Sequence, residues 1–253
     1  MNLAERRTSP SPVSIELCTT LDELRECVRL QRAIWNDSDE DLTSSATLMV
    51  ANKIGGHVLL AKDGARAVGF AFAFPAFRGD VRYLHSHLVG VIPDYQNRGI
   101  GLRLKLKQRE LALAERIPLM EWTFDPLVIG NAYFNVARLG AIIRRFIPNL
   151  YGVTASPLHG GLPTDRLVAE WWLTSARVDD ALAGRALAGA RDAVEIIVPA
   201  ELNDWKKAGS SQVFELQARL SEEFQERFAS GHAVTAFRIE NGNGIYLLER
   251  LEN

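Results

Sequence analysis

Leu88–Leu106 reads LVGVIPDYQNRGIGLRLKL. Five apolar residues, Leu88 to Ile92, stop at Pro93. A polar turn follows, Gln96-Asn97-Arg98-Gly99-Ile100-Gly101, and then a segment rich in Leu, Lys and Arg that favours helix. Strand, glycine turn and helix in that order make an anion-binding device. The first N–H groups of a helix have no intrahelical acceptor, the helix dipole makes that end positive, and glycine lets the backbone come close to a phosphate. The spacing narrows the ligand. A P-loop needs Gly-Lys-Ser/Thr, but Gly101 is followed by Leu102-Arg103. The dinucleotide fingerprint needs a third glycine where Leu104 stands. Both nucleotide readings lose ground, leaving another phosphate ligand or a purely structural turn.

Around this stretch, 253 residues allow one large domain or one domain with a smaller appendage. Apolar content of 47% and charged content of 24% suit a globular, soluble chain. A net charge of −2 gives no general electrostatic reason to bind nucleic acid or an anionic membrane. Residues 1–12, MNLAERRTSPSP, lack the apolar core of a secretory signal and read as a flexible tail. Apolar runs fall short of the ~20 residues a membrane helix needs. The two cysteines, Cys18 and Cys27, suit a reducing compartment, so a cytoplasmic protein is expected. No Cys/His cluster has zinc-ligand spacing, and no metal is expected.

In chain order, Val13–Cys18 reads as a strand. A helix capped by Thr20 runs to about Trp35, and a second covers about 45–54. His57–Ala61 and Arg66–Phe77 form a hairpin around Lys62-Asp63-Gly64, with a bend or bulge expected near the end of the second strand because of Pro75. Val81–Ile92 is the strand entering the opening motif, and Gly90 within it suggests a bulge or a close approach to a ligand. The next helix, about Gly99–Arg116, carries two apolar stripes and is expected to be covered on two sides. Strand Leu119–Phe124, helix Asn131–Leu139 and strands Ala141–Ile147 and Leu167–Leu173 follow. Between the last two lies a long loop, Pro148–Arg166. After Ser175 come an Ala-rich helix over about 178–190, a strand at Val194–Val198, an amphipathic helix over about 211–229 and a closing hairpin around Asn241-Gly242-Asn243-Gly244.

With Q-x-x-G-x-G after an apolar strand ending in Pro, and this element order on both sides, the region Val13–Leu173 resembles the GNAT superfamily of acyl-CoA-dependent N-acyltransferases. Tyr83–Arg166 looks closest to a little-characterised bacterial branch with a C-terminal extension. The resemblance implies an α/β (α+β) fold: a mixed, mostly antiparallel central sheet flanked by helices, with a small C-terminal α/β extension. It divides the chain into a tail (1–12), an acyl-CoA-binding domain (13–175) and an extension (176–253) packed on that domain.

It also implies the cofactor. Acetyl-CoA or another acyl-CoA is expected as co-substrate, its pyrophosphate cupped by the backbone of Gln96, Asn97, Arg98, Gly99, Ile100, Gly101, Leu102 and Arg103. Arg98 and Arg103 read equally well as a solvated helix start. In the family, pantetheine inserts between the splayed fourth and fifth strands. That role carries over to Leu88, Val89, Gly90 and Val91 and to Trp122–Phe124, with Gly90 as the bulge that opens the splay. Asn131 matches a frequent cofactor contact and reads equally well as a helix cap.

Acyl transfer to an amine requires an ammonium with a pKa of about 10 to lose a proton, the thioester oxygen to be stabilised, and a thiolate to depart. Backbone N–H groups near Val89–Val91 are expected to serve the oxygen. His85 and His87, two apart on a strand, share one face. His85 stands eleven positions before Gln96, where some members of the family carry a catalytic Glu. The pair reads either as general base or as structural, hydrogen-bonded histidines. A Tyr common in the family is Val136 here, which leaves Tyr133 and Tyr151 to read either as substitute acids or as core or rim tyrosines. The long loop, with His159, Gly160, Gly161 and Asp165, is expected to shape the acceptor pocket. Arg144 and Arg145 read as acceptor-carboxylate ligands or as edge-strand surface charges.

The expected partner is a small-molecule amine such as an amino acid, with no nucleic acid and no membrane, and with a homo-oligomer allowed. The competing reading is a non-catalytic acyl-CoA-binding sensor or scaffold.

Overall fold

The computed structural model describes residues 13–35, 41–152, 161–187, 189–190 and 192–251. The expected tail 1–12 therefore lies outside the described residues, as do His159 and Gly160. The chain divides into two compact units, Met1–Pro118 and Leu119–Asn253. The fold is α+β, and the pairings below are all antiparallel.

The first unit holds β1 (Ser14–Leu17), α1 (Leu21–Trp35), α2 (Ser45–Lys53), β2 (His57–Asp63), β3 (Arg66–Arg78), β4 (Val81–Val91) and α3 (Ile100–Ala114). Its strands run in the order β1-β2-β3-β4. Thr20 and Glu23 form a reciprocal cap at α1. Thr20 Oγ1 accepts from the Glu23 amide, and the Glu23 carboxylate accepts from the Thr20 amide. A hydrogen bond from Lys62, then one from the Thr19 amide, holds the Glu23 carboxyl at about 2. The helical spacing of Leu21, Leu24, Val28 and Ile34 predicts a buried stripe on α1, but Leu21 is exposed. The buried face runs through Leu24, Cys27, Leu30 and Gln31. Gln31 is accommodated because its amide exchanges hydrogen bonds with Thr43 N and O. Leu59 and Leu60 of β2 and Phe70 and Phe72 of β3 fill the core with Ile100 and Leu104 of α3.

Two expectations about the β3–β4 ladder need correction. Neither Pro75 nor Gly90 marks the irregularity, since Pro75 pairs with Leu84 and Gly90 with Phe70 in register. Phe72 faces Leu88 while Ala73 faces Ser86, so His87 is the extra residue of a bulge. Gly90 answers to α1 instead. A β-carbon there would come within 2.8 Å of Ile34 Cδ1 and 3.0 Å of the Trp35 ring.

The second unit holds β5 (Leu119–Phe124), α4 (Ile129–Ala132, continuing as a π-helical turn over Tyr133–Arg138), β6 (Ile142–Ile147), β7 (Arg166–Trp172), α5 (Ala176–Leu182), β8 (Val194–Val198), α6 (Leu202–Ala208), α7 (Gln212–Ala229), β9 (His232–Glu240) and β10 (Asn243–Arg250). Strand order is β5-β7-β6-β9-β10-β8. Residues after Ser175 thus extend the same sheet, with Val234 of β9 paired to Ile143 of β6. The α7 stripe falls as its spacing predicts, with Val213, Leu216, Leu220 and Phe224 buried. Phe224 stacks on Phe146 at 6.0 Å and meets Tyr246 edge-on at 5.2 Å. Arg177 of α5 sends its half-buried guanidinium to the carbonyls of Gly140, Ala141 and Thr235.

Three elements differ from expectation. The Ala-rich helix stops at Leu182, where left-handed Gly184 turns the chain. The α6 helix was not anticipated. Asn131 is the third residue of α4 rather than its start, and its amide donates to Val128 O. The closing hairpin turns on two left-handed residues, Asn241 and Gly242.

Candidate functional site

The turn between β4 and α3 is built to present N–H groups. Pro93–Tyr95 forms one 3-10 turn, and Gln96 ties it back by donating from Nε2 to Val91 O at 3.0 Å. Asn97 (φ 58°) and Gly99 (φ 77°) then take left-handed conformations, which swings successive amides round. Gly99 caps α3 without a side-chain acceptor, so no side chain of the cap occupies the first amides of the helix. A β-carbon built on Gly99 or on Gly101 meets nothing within 4 Å. The mouth of the turn is therefore open backbone, suited to a phosphate.

Its cations are placed unequally. The Arg98 guanidinium lies 4.8 Å from the centre of the Tyr95 ring, beside the turn. Arg103 reaches away to the Val13 carbonyl and so ties α3 to the residue before β1. Ile100 is buried in the core and contributes only backbone to the cup; Leu102 is half-buried.

On β4, the bulge reshapes the histidine pair. The rings remain neighbours, with centroids 6.0 Å apart. His87 sits 5.9 Å from Phe72 and 5.4 Å from Phe74. Burial, with the positive charges of His87 and Lys105 adding to it, lowers His85 to about 4. Burial against the Phe rings also lowers His87, but His87 is exposed, so solvent screens that effect. Both are neutral at neutral pH and can accept a proton. His85 is the weaker base of the two for work at that pH.

Sequence reasoning missed the groups behind the pair. Ser86, between the histidines, is buried and donates to Gln108 Oε1 at 3.2 Å, while Lys105 Nζ donates to Ser86 Oγ at 3.0 Å. The signal was there in part. Gln108 stands on the stripe Ile100, Leu104, Ala112, all buried on α3.

In the second unit, Tyr133 is 39% exposed at the start of the π turn, Asn131 is exposed, and Val136 is fully buried. Trp122 donates from Nε1 to Asn135 Oδ1 at 3.1 Å, inside the unit's core. Tyr151 is exposed under the Arg166 guanidinium. The stem of the long loop is closed by hydrogen bonds. Asp165 accepts from the Asn149 amide and Thr164 from the Tyr151 amide. Arg144 and Arg145 face inward charges. Glu121 and Glu170 lie opposite each other on β5 and β7, both buried. A bulge in β6 between Ile143 and Arg145 brings both guanidinium groups to them. Among the described residues no cluster of three metal-ligating side chains occurs, and no helix is long and apolar enough to cross a membrane.

Comparison with known proteins bears on this geometry. Residues 20–126 match the profile of the Acetyltransferase (GNAT) family. Among solved structures, an aminoglycoside 6'-acetyltransferase type Ii is similar at 18% identity and TM-score 0.51, over 64% of this chain and 98% of that one. Arabidopsis thaliana Naa50, solved with a bisubstrate analogue of CoA, matches at 16% and 0.50, over 63% and 97%. YncA of Salmonella typhimurium, a putative acetyltransferase solved with acetyl-CoA, matches at 18% and 0.50, over 64% and 95%. At these identities the likeness establishes the fold. No curated protein matches the chain.

Proposed function

We propose, from the match of residues 20–126 to the GNAT acetyltransferase family profile, that this chain is an N-acyltransferase moving an acetyl or other short acyl group from acyl-CoA to a primary amine. The observation that carries the reading is the open backbone cup at Gln96–Leu102, set at the uncapped N-terminus of α3. A CoA pyrophosphate fits it by charge and by the absence of side chains at Gly99 and Gly101. The neighbours solved with acetyl-CoA or a CoA bisubstrate analogue support the same co-substrate. Leu88–Val91 and Asn131 belong to this reading as pantetheine and cofactor contacts on the family pattern alone. So does the division into a tail (1–12), an acyl-CoA-binding domain (13–175) and an extension (176–253).

The chemistry is direct transfer. The amine nitrogen attacks the thioester carbon, the C–S bond breaks, the amine loses a proton and the CoA thiolate gains one. Neutral His87, the more open of the pair, takes the amine proton, with His85 beside it. The bulged backbone at His87, outside the β3 ladder, supplies an N–H for the developing oxyanion. Tyr133 is the proposed proton donor to the thiolate. Its hydroxyl is on an exposed ring, which suits that role. The acceptor is a small amine such as an amino acid. The free, buried thiols of Cys18 and Cys27, 3.8 Å apart, suit a reducing cytoplasm.

One observation favours the second reading, a non-catalytic acyl-CoA sensor. The family's usual tyrosine position is occupied by Val136, which is fully buried. The two readings separate by experiment. Titrate the protein with acetyl-CoA and succinyl-CoA, then measure free thiol release over an amine panel. Turnover abolished in the His85→Ala/His87→Ala double variant supports the base. Tight binding without thiol release from any amine favours the sensor, and no binding sinks both.

A further inference from the structure

The α3 helix meets β4 through a buried polar chain. Lys105 is 2% exposed and Gln108 is fully buried, one turn apart on the same face of α3. Lys105 Nζ donates to Ser86 Oγ, and Ser86 Oγ donates to Gln108 Oε1. Ser86 is the residue immediately before the bulge, flanked by His85 and His87. Placing a lysine and a glutamine amide in an apolar face costs free energy that a Leu or Met there would avoid. Gln108 Nε2 is buried without a hydrogen-bond partner, which raises that cost. A stable core does not need this arrangement, but a fixed bulge does. The extra residue lies outside the ladder, so β3 alone does not set its register.

We propose that Lys105, Ser86 and Gln108 are positioning residues that lock the β4 bulge from the α3 side and so hold the imidazoles of His85 and His87. One rigid helix would then carry the phosphate cup at its first turn and the anchor of the histidine pair one to two turns later. The inference rests on the acyltransferase reading for its purpose but not for its test.

The test is an NMR titration of the histidine rings in the full chain, with wild type, Ser86→Ala, Ser86→Thr and Lys105→Met. Releasing the bulge admits water to the half-buried His85 ring, and removing Lys105 also removes a nearby positive charge, so both effects act upward on His85. The His85 midpoint should rise from about 4 toward 6.5 by roughly half a pH unit or more in Ser86→Ala and in Lys105→Met. Ser86→Thr, which keeps the hydroxyl, should follow wild type. Curves that superimpose on wild type in Ser86→Ala overturn the proposal. So does a shift in Lys105→Met alone, which would reflect charge without positioning. Should Lys105→Met fail to fold, Ser86→Ala, lacking a single hydroxyl, decides. Loss of turnover in His85→Ala/His87→Ala is a separate readout, so failure of the base assignment leaves this result interpretable.

Discussion

The rings of His85 and His87 lie 6.0 Å apart at an interplanar angle of 42°. Two imidazoles this close, with aromatic walls on one side, resist protonation, and His85 is held at about 4 against an ordinary 6.5. The sign of the stability effect follows. Between those values the unfolded chain binds a proton that the folded chain refuses, so stability falls as pH drops from 6.5 to 4 and levels below. The difference corresponds to roughly 3 kcal/mol as an upper bound. Urea unfolding at pH 7 and pH 4 should show that loss in wild type. A His85→Gln variant, which cannot titrate there, should lose markedly less. Equal losses in both would count against the burial argument.

The two glycines of the cup separate stability from ligand binding. Gly99 has φ 77°, where an alanine costs about 1–2 kcal/mol, so Gly99→Ala should lower stability as well as coenzyme affinity. Gly101 is helical, and alanine is favoured over glycine there by about 1 kcal/mol. Its β-carbon would enter the open space in front of the amides. Gly101→Ala should therefore raise or preserve the melting temperature yet weaken coenzyme A binding about tenfold by calorimetry. Unchanged affinity would move the pyrophosphate elsewhere.

How far the sequence carried depends on which physical signal each feature leaves. The β4-turn-α3 unit was legible because Pro93 ends the strand and Gly99 takes the left-handed turn that starts the helix. The strands β6 and β7 follow from their apolar runs, and the β9–β10 hairpin from its turn residues. The bulge at His87 was not legible, since a bulge with no glycine has no residue signature, and Gly90 drew the assignment instead. Lys105, Gln108, Glu121 and Glu170 were overlooked because hydropathy sends such residues to solvent, whereas here each is buried among hydrogen-bonding or ionic partners. The spacing of His85 and His87 suggested one strand face. The rings do lie together, and the register shift falls at His87 itself, before Leu88.

Gly90 reads as a packing residue for α1, and this is testable without any ligand. A methyl group at that position must displace Ile34 Cδ1 and the edge of Trp35, which in turn packs edge-on against Phe70 at 5.7 Å. Gly90→Ala should destabilise by about 1–3 kcal/mol through overpacking. Ile34→Ala opens the nearest contact, so the double variant should recover part of the loss beyond additivity in a double-mutant cycle. Strict additivity would show that the two positions do not press on each other.

The segment after Ser175 is bound into the second unit by three kinds of contact. Val234 pairs with Ile143, Phe224 stacks on Phe146, and Arg177 satisfies the carbonyls of Gly140, Ala141 and Thr235. Burial lowers the Arg177 guanidinium to about 10, still charged at neutral pH, so its removal would strip three carbonyls of a cationic donor. A chain ending at Ser175 should therefore expose the β6 edge and the apolar faces of Phe146 and Ile143, and aggregate on expression. Within the full chain, Arg177→Met should cost about 2–4 kcal/mol in urea unfolding, because it leaves buried carbonyls unpaired while keeping side-chain volume. A soluble 1–175 fragment with a cooperative melt would show instead that the segment is a dispensable appendage.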